Sequence, residues 1–247
     1  MPEWIEGRVI EQRQWTDRLF SLSVAARDLA YEAGQFIKLA LPANGHMLAR
    51  AYSFVNAPQA RPYEFYYVRL PDGPLTQRLC RLGSGDAIFL SSRPAGFLVL
   101  SEVPDADNLW LLATGTGIAP FLSILRTETP WRRYGRVVLV HAVRFAQELT
   151  YREVLGGVQA ERQGRLRLVS IVSRESAEGA LAGRIPQAIL DGRLEAAAGL
   201  ALSASGSQVM ICGNPAMVSD AVRALAERRM KKHRRRSPGQ ITVENYW

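Results

Sequence analysis

The first hundred residues contain short runs of apolar and β-branched residues separated by turn residues. Runs of about four to seven residues with this composition are typical of strands. Clusters of Gly, Pro, Asn and Asp lie between several of them, and one short helix is predicted over Leu75–Leu82. Six such strands predict a small antiparallel β-barrel in residues 1–103. The predicted strands are Ile5–Val9, Leu19–Val24, Gln35–Leu41, Arg50–Phe54, Glu64–Val68 and Asp86–Leu90.

The pattern changes near Pro104, after which apolar runs are nearly continuous and alternate with amphipathic segments. Continuous apolar runs are typical of strands that are buried on both faces. The runs are Leu109–Ala113, Val137–Val143, Leu166–Val172, Gln208–Cys212 and a final Ile241–Glu244. The intervening helices are predicted over Pro120–Arg126, Glu148–Arg162, Ile185–Leu190 and Pro215–Lys232. This alternation predicts a doubly wound parallel α/β sheet in residues 104–247.

Composition limits the cofactors and the compartment. The sequence is 47% hydrophobic without a run of membrane-spanning length, and its first residues resemble no signal peptide. We therefore expect a cytoplasmic protein that does not enter the membrane. Cys80 and Cys212 cannot ligate an iron–sulfur cluster, which needs about four thiolates. No metal site is expected, because the three histidines lack metal-ligand spacing: His46, His141 and His233.

The net charge of +8 is concentrated partly in a basic cluster, Lys231–Arg236. Such a cluster is typical of proteins that bind nucleic acid, an anionic membrane or an acidic protein. It is equally typical of a solvated helix end, where cations complement the helix dipole. Both interpretations are open at this point.

The most informative motif follows the first parallel strand. Thr114–Gly117 reads Thr-Gly-Thr-Gly, and Pro120 falls in the first turn of the next helix. A glycine turn at a helix N-terminus favours an anion, because backbone N–H groups are exposed there and no Cβ holds the ligand away. The spacing is not Gly-x-Gly-x-x-Gly, so a generic dinucleotide dehydrogenase is a poor match.

Four motifs in a fixed order identify a family resemblance. Arg50-Ala51-Tyr52-Ser53 is followed by the glycine turn, then by Ile211–Pro215 and by Val243–Trp247. This arrangement resembles the ferredoxin–NADP reductase family, and its aromatic ending is most similar to the bacterial ferredoxin/flavodoxin type. The resemblance implies a monomeric FAD enzyme that passes hydride between NADPH and flavin N5, and single electrons to ferredoxin or flavodoxin. Acidic carrier proteins are then the expected partners, and nucleic acid is not.

The resemblance assigns the flavin site. Arg50 offers a guanidinium fork to phosphate, Tyr52 a flat face to the flavin ring, and Ser53 a hydroxyl near N5. Glu244 is implied as a proton source or nicotinamide contact. Tyr246 is expected to cover the flavin, and Trp247 to stack on adenine. The remaining expected FAD contacts are Ala51, Tyr66, Val68, Arg69, Pro74, Leu75, Thr76 and Thr116.

The NADP site is expected at the carboxyl ends of the parallel strands. Arg144, Arg174 and Arg184 lie just beyond predicted strands or at a helix start, where converging cations favour the 2′-phosphate of NADPH over NADH. Ser173 precedes the second of these arginines. Cys212, by family analogy, shapes the nicotinamide pocket rather than acting as a nucleophile. The other expected contacts are Gly115, Gly213, Asn214 and Pro215.

Two other functions are consistent with parts of the sequence. The same motifs suit a flavin-linked reductase domain that serves an oxygenase or a ferric chelate. A nucleic-acid-binding protein would use Lys231–Arg236, but it would leave the Arg50–Ser53 and glycine-turn motifs unexplained.

Overall fold

The computed structural model describes residues 3–246, which fold around two six-stranded sheets. The first sheet is antiparallel, in the order β4-β3-β6-β1-β2-β5. Its strands are β1 Trp4–Gln14, β2 Leu19–Ala25, β3 Phe36–Ala43, β4 His46–Ser53, β5 Tyr63–Val68 and β6 Ala87–Ser91, with the one-turn helix α1 Thr76–Leu79 before β6. The six predicted strands are present. Strand β1 is longer than its predicted run, and the pattern missed its additional residues because they are mostly polar or exposed. Strand β4 begins at His46, four residues before its predicted start.

The predicted barrel closes through residues just beyond strand β4. Phe54 forms an antiparallel bridge with Phe65 of β5, and the N–H of Val55 donates to the Glu64 carbonyl at 2.9 Å. This pairing joins the two edge strands of the sheet. The barrel interior is filled by aliphatic and aromatic side chains, among them the fully buried Leu22 and Leu39. The fold class predicted for the first half of the chain is therefore confirmed.

The second sheet is entirely parallel, in the order β10-β9-β8-β7-β11-β12. Its strands are β7 Asn108–Thr114, β8 Arg136–Val143, β9 Leu166–Val172, β10 Ala180–Ala182, β11 Ser207–Gly213 and β12 Ile241–Asn245. The helices are α2 Ala119–Leu125, α3 Thr129–Arg133, α4 Arg152–Glu161, α5 Ile185–Leu190, α6 Arg193–Ala198 and α7 Pro215–Glu227. The doubly wound sheet is confirmed as well.

Strand β7 marks the point at which the strand order reverses. From β7 the chain continues outward to β8, β9 and β10, and then returns to its other side for β11 and β12. Ligands of such sheets bind beyond the carboxyl ends of the strands at this reversal. Alternate residues of β7 point to opposite faces of the sheet. Leu111 packs with the barrel and α2, whereas Leu112 packs with α5 and α7.

Several elements differ from their predicted bounds. Strand β10 and helices α3 and α6 are too short to show a periodic pattern and were not predicted. Helix α4 begins at Arg152 because Ala146–Glu148 forms a separate 3₁₀ turn. Helix α7 ends at Glu227, so the basic cluster lies beyond it in a turn closed by Arg234 and Ser237. Its interpretation as a helix end is therefore wrong.

The two sheets pack directly against each other. One hydrophobic cluster contains Tyr66 of the barrel together with Leu111 of the parallel sheet. Ser123 Oγ donates to the Asn56 carbonyl across the same boundary at 2.7 Å. The boundary at residues 103 and 104 remains a prediction, and the connection between the sheets runs from β6 to β7. No helix within residues 3–246 is both long and apolar enough to cross a bilayer.

Candidate functional site

A cavity of about 350 Å³ opens between the barrel, the glycine turn after β7 and the carboxyl end of β12. Cavities of this size commonly accommodate small molecules and cofactors. Most of the predicted flavin residues line it: Arg50, Ala51, Tyr52, Ser53, Tyr66, Val68, Pro74, Leu75, Thr76, Thr116, Glu244 and Tyr246. Both domains therefore contribute to one site.

The Arg50–Ser53 motif forms the end of strand β4. Arg50 is exposed, and its guanidinium donates only to the neighbouring Ala49 carbonyl, with no carboxylate partner within the described chain. The ring of Tyr52 meets that of Tyr67 edge-on, with centroids 6.2 Å apart. The strand thus presents a cation, an aromatic ring and a hydroxyl to one cavity.

A tight turn before α1 forms the far wall of the cavity. A Cβ on Gly73 would lie 2.5 Å from Thr76 Oγ1, so the turn requires glycine there. Thr76 donates its hydroxyl proton to the Gly73 carbonyl and accepts from the Leu70 N–H. The backbone N–H groups of Leu75 and Thr76 have no acceptor among the described residues. These amides, more than the hydroxyl, can donate to an anion.

Arg69 does not line the cavity. Its guanidinium lies 5.9 Å from the centre of the Phe20 ring. Its expected contact with the cofactor remains a prediction.

The last described residue, Tyr246, ties the two domains together at the cavity. Its hydroxyl donates to Ser53 Oγ at 2.6 Å, and its N–H donates to the Gly213 carbonyl at 3.0 Å. Burial, and secondarily the Glu244 charge, raises the pKa of the adjacent Cys212 thiol well above its ordinary value. Cys212 is therefore a protonated, packed thiol. Trp247 lies outside the described residues.

Glu244 is the acidic residue of the cavity wall. Burial raises the pKa of its carboxyl to about 7. Its Oε1 atom is buried and has no hydrogen-bond partner within residues 3–246. A buried polar atom without a partner is costly, so a group bound in the cavity could satisfy it.

The glycine turn packs against strand β11 beside this cavity. Gly115–Ile118 form a 3₁₀ turn, in which Gly115 has a φ of +52° and open space beside it. A Cβ on Gly117 would lie 2.5 Å from the Cys212 carbonyl oxygen, and one on Gly213 would lie 2.1 Å from Thr114 Oγ1. Close packing therefore explains why Gly117 and Gly213 are glycines. Of these three glycines, Gly115 is the one with free space beside it.

Asn214 and Pro215 begin helix α7. The Asn214 side chain accepts from the N–H of Ala216 at 2.9 Å, and Pro215 occupies the first turn of the helix. Such an N-cap stabilises a helix start by about 1 kcal/mol. Both residues have a local structural role, and their nucleotide contacts remain predictions.

The predicted 2′-phosphate residues share one edge of the parallel sheet. The Arg174 N–H donates to the Arg144 carbonyl at 3.0 Å, which brings the ends of β8 and β9 together. The N–H of Gly183 donates to Val172, which places Arg184 beside the same edge. Ser173 Oγ donates to the Val143 carbonyl. The three arginines are exposed and form no ion pair with any described residue.

An acidic residue lies next to these arginines but does not pair with them. The Glu175 carboxylate accepts the Ala146 N–H at 2.6 Å. It therefore fastens the loop after β8 to the loop after β9. The arginine edge keeps its positive charge for a ligand.

Three residues that also line the cavity carried no sequence signal: Phe36, Tyr67 and Leu70. Gly73 of the turn before α1 and Asn245 of the Val243–Trp247 motif line it as well. An apolar residue that lines a site has the same pattern as one in the core. Phe36 reaches the cavity because the β3–β4 register places it opposite Ser53.

His141 is a second residue whose place only the structure shows. Burial lowers the pKa of its imidazole to about 4, so the ring is neutral. Its Nε2 hydrogen-bonds the Gly115 carbonyl at 3.1 Å. His141 thus holds the glycine turn in place.

Comparisons with known proteins agree with this geometry. The family described as "Oxidoreductase FAD-binding domain" matches residues 12–97, and "Oxidoreductase NAD-binding domain" matches residues 111–223. The chain is 48% identical over its full length to the full-length flavodoxin/ferredoxin–NADP reductase of Escherichia coli.

Two solved structures show the same fold. A ferredoxin NADP⁺ reductase from Neisseria gonorrhoeae, with bound FAD and NADP, has a TM-score of 0.94 at 33% identity, and 99% of each chain is covered. An Amycolatopsis cytochrome P450 reductase has a TM-score of 0.82 at 27% identity, over 98% of this chain and 69% of that one. With the two matching domains and the 48% full-length identity, this chain belongs to the flavodoxin/ferredoxin–NADP reductase family.

Proposed function

We propose that this protein binds FAD in the cavity and NADP(H) at the arginine edge, and exchanges electrons between NADPH and ferredoxin or flavodoxin. One observation carries the proposal. A single cavity receives the Arg50–Ser53 strand of the barrel, the end of β12, and Thr116 of the glycine turn that follows β7, where the parallel sheet has its strand reversal.

The residues of the cavity fit FAD. Arg50 supplies a cation without a carboxylate partner, and the Leu75 and Thr76 amides supply donors for a pyrophosphate. Tyr52 supplies an aromatic face, and the orphaned Glu244 oxygen supplies a polar contact. Bound FAD would accept hydride at N5 from NADPH and release electrons singly, which the protein side chains cannot do.

The side chains around the cavity would position the reactants and hold a proton. Ser53 accepts from Tyr246, which leaves its own proton for an acceptor inside the cavity. Glu244 keeps its proton up to about pH 7, so it can supply one near neutrality. Tyr246 occupies the wall next to Cys212, where the nicotinamide is expected to bind. Its ring would have to move before the nicotinamide could reach that position.

Nucleotide choice would follow from charge. Arg144, Arg174 and Arg184 form no ion pair with a described residue, and the neighbouring Glu148 and Glu175 carboxylates accept backbone amides instead. A 2′-phosphate would form charge-assisted hydrogen bonds there, whereas the hydroxyl of NADH would leave the cations unpaired. We therefore assign NADPH as the nucleotide.

The electron carriers are proposed to be acidic proteins that the net charge of +8 attracts. Within the basic cluster, Arg235 pairs with Glu102 at 2.9 Å and lies over the Phe97 ring. One arginine of the cluster therefore already has an acidic partner within the molecule. We further propose that the protein acts as a monomer in the cytoplasm.

A second candidate function is electron supply to an oxygenase, because the fold also resembles the Amycolatopsis cytochrome P450 reductase. The test begins with the visible spectrum of the purified protein, where flavin bands are expected and their absence would refute the flavin assignment. NADPH-dependent reduction rates of ferredoxin, flavodoxin and a cytochrome P450 are then measured side by side. Faster turnover with the cytochrome would favour the second candidate.

A further inference from the structure

The segment Arg144–Tyr151, here called the nucleotide loop, connects β8 to α4. Its first half is held by its own residues, because Glu148 Oε2 accepts from the N–H of Arg144 at 2.9 Å and of Phe145 at 3.2 Å. Glu148 is the last residue of the 3₁₀ turn Ala146–Glu148, which directly follows Phe145. Arg144 therefore cannot shift far without moving the rest of the loop.

The second half of the loop is fastened to the barrel. Thr150 Oγ1 donates to Tyr66 Oη at 2.8 Å, and Tyr151 Oη donates to Glu64 Oε1 at 2.7 Å. Glu64 and Tyr66 are two residues apart on β5, so both side chains point toward the loop. Thr150 is 5% exposed and Tyr66 is 2% exposed, so water cannot readily replace the hydrogen bond between them.

Tyr66 also belongs to the wall of the FAD cavity. One side chain therefore touches the proposed flavin site and, through Thr150, the loop that begins with Arg144. The Tyr151 ring supports this arrangement, since it packs edge-on against Tyr66 with centroids 5.2 Å apart. It also packs at a tilt against Trp15, with centroids 4.7 Å apart. No residue of the loop itself lines the cavity, so the loop reaches the flavin side through the Thr150–Tyr66 hydrogen bond and the packing of Tyr151 on Tyr66.

We infer that Thr150 is a positioning residue that couples the two sites, so that a 2′-phosphate at the arginine edge strengthens FAD retention through the Thr150–Tyr66 hydrogen bond. The inference rests on the proposed function. A ligand that orders the loop also orders Thr150, and an ordered Thr150 holds Tyr66 against the cofactor. Because coupling between sites is reciprocal, bound FAD strengthens nucleotide binding by the same factor.

A second hydrogen bond between the domains provides the matched control. Ser123 Oγ donates to the Asn56 carbonyl at 2.7 Å and is fully buried. Neither Ser123 nor Asn56 lines the cavity or belongs to the nucleotide loop. Ser123→Ala should therefore lower stability while leaving the coupling intact.

The experiment measures FAD release from the holoenzyme after dilution, followed by flavin fluorescence. Adenosine 2′,5′-bisphosphate is the probe, and adenosine 5′-monophosphate is its control without the 2′-phosphate. We expect the bisphosphate to slow release from the wild type about fivefold or more, which is the lower range of measured couplings. In Thr150→Val the slowing should drop below about twofold, because the donor is lost while the shape is kept.

Three further variants make the test specific. Tyr66→Phe removes the same hydrogen bond from the other side, and it replaces Thr150→Val should that variant not fold. A variant that combines Thr150→Val with Tyr66→Phe should lose no more coupling than either single variant, because the two substitutions delete the same hydrogen bond. Thr150→Ser keeps the hydroxyl and should retain the slowing, as should Ser123→Ala.

The outcomes separate the two proposals. If the bisphosphate fails to bind the wild-type holoenzyme in equilibrium dialysis, both the NADP assignment and the coupling are overturned. If it binds and the slowing persists in Thr150→Val and Tyr66→Phe, only the coupling is overturned. Equal loss of slowing in Ser123→Ala would assign the effect to general domain packing and would also overturn it.

Discussion

Replacing Arg174 by alanine tests the assignment of the nucleotide edge. Arg174 is exposed, forms no ion pair with a described residue, and is held beside Arg144 by a backbone hydrogen bond of 3.0 Å. The substitution removes a cation but no internal contact of the fold. We therefore expect a change in nucleotide binding and little change in stability.

The magnitude follows from the hydrogen bond that would be lost. A hydrogen bond to a charged group contributes about 1.5–3 kcal/mol, which corresponds to a factor of about 10 to 150 in binding. Solvent exposure of the arginine weakens the interaction toward the lower value. We expect the KM for NADPH to rise about tenfold or more, with kcat and the use of NADH almost unchanged. Arg184→Ala should behave in the same way.

The assay compares steady-state kcat/KM for NADPH and NADH, with ferricyanide as the electron acceptor. Arg136→Ala is the matched control, because Arg136 is exposed at the amino end of β8, away from the ligand edge. The NADPH reaction of Arg174→Ala should also depend less on salt. Equal losses with both nucleotides, or an equal loss in the control, would refute the assignment.

Three further predictions concern the cavity. Ser53→Ala should keep FAD bound but slow hydride transfer, because the hydroxyl contributes electrostatics near the reacting centre; a normal single-turnover rate would count against this role. Burial raises the pKa of Glu244 to about 7, so the carboxyl loses its proton as pH rises through 7. Carrier reduction should decline above that pH, and Glu244→Gln should abolish this dependence; an unchanged pH–rate profile would argue against a proton role. Deleting Trp247 should weaken FAD binding by about 1–3 kcal/mol, as for base–aromatic stacking, and deleting Tyr246 as well should shift preference toward NADH. If the FAD affinity and the ratio of NADPH to NADH activity are both unchanged after the two truncations, the aromatic residues have only a packing role.

Local sequence patterns determined the architecture. Alternating and continuous apolar runs distinguish a half-exposed antiparallel barrel from a buried parallel sheet, because side-chain periodicity follows directly from strand geometry. The glycine turn and Arg50–Ser53 were recognisable because each motif is contiguous, and the order of the motifs placed the cofactors in their domains. Short elements such as β10 and α6 were not predicted, because so few residues cannot show a hydrophobic period.

Only the tertiary structure decided which distant residues meet. Phe36 lines the cavity through the β3–β4 register, and Thr150 reaches Tyr66 because the domains pack against each other. The raised pKa of Glu244 likewise follows from desolvation, which depends on every element around it. Periodicity reports which face of a strand is buried but carries no information about what covers that face. Register, domain packing and burial supply that information, and they arise only when segments far apart in the chain come together.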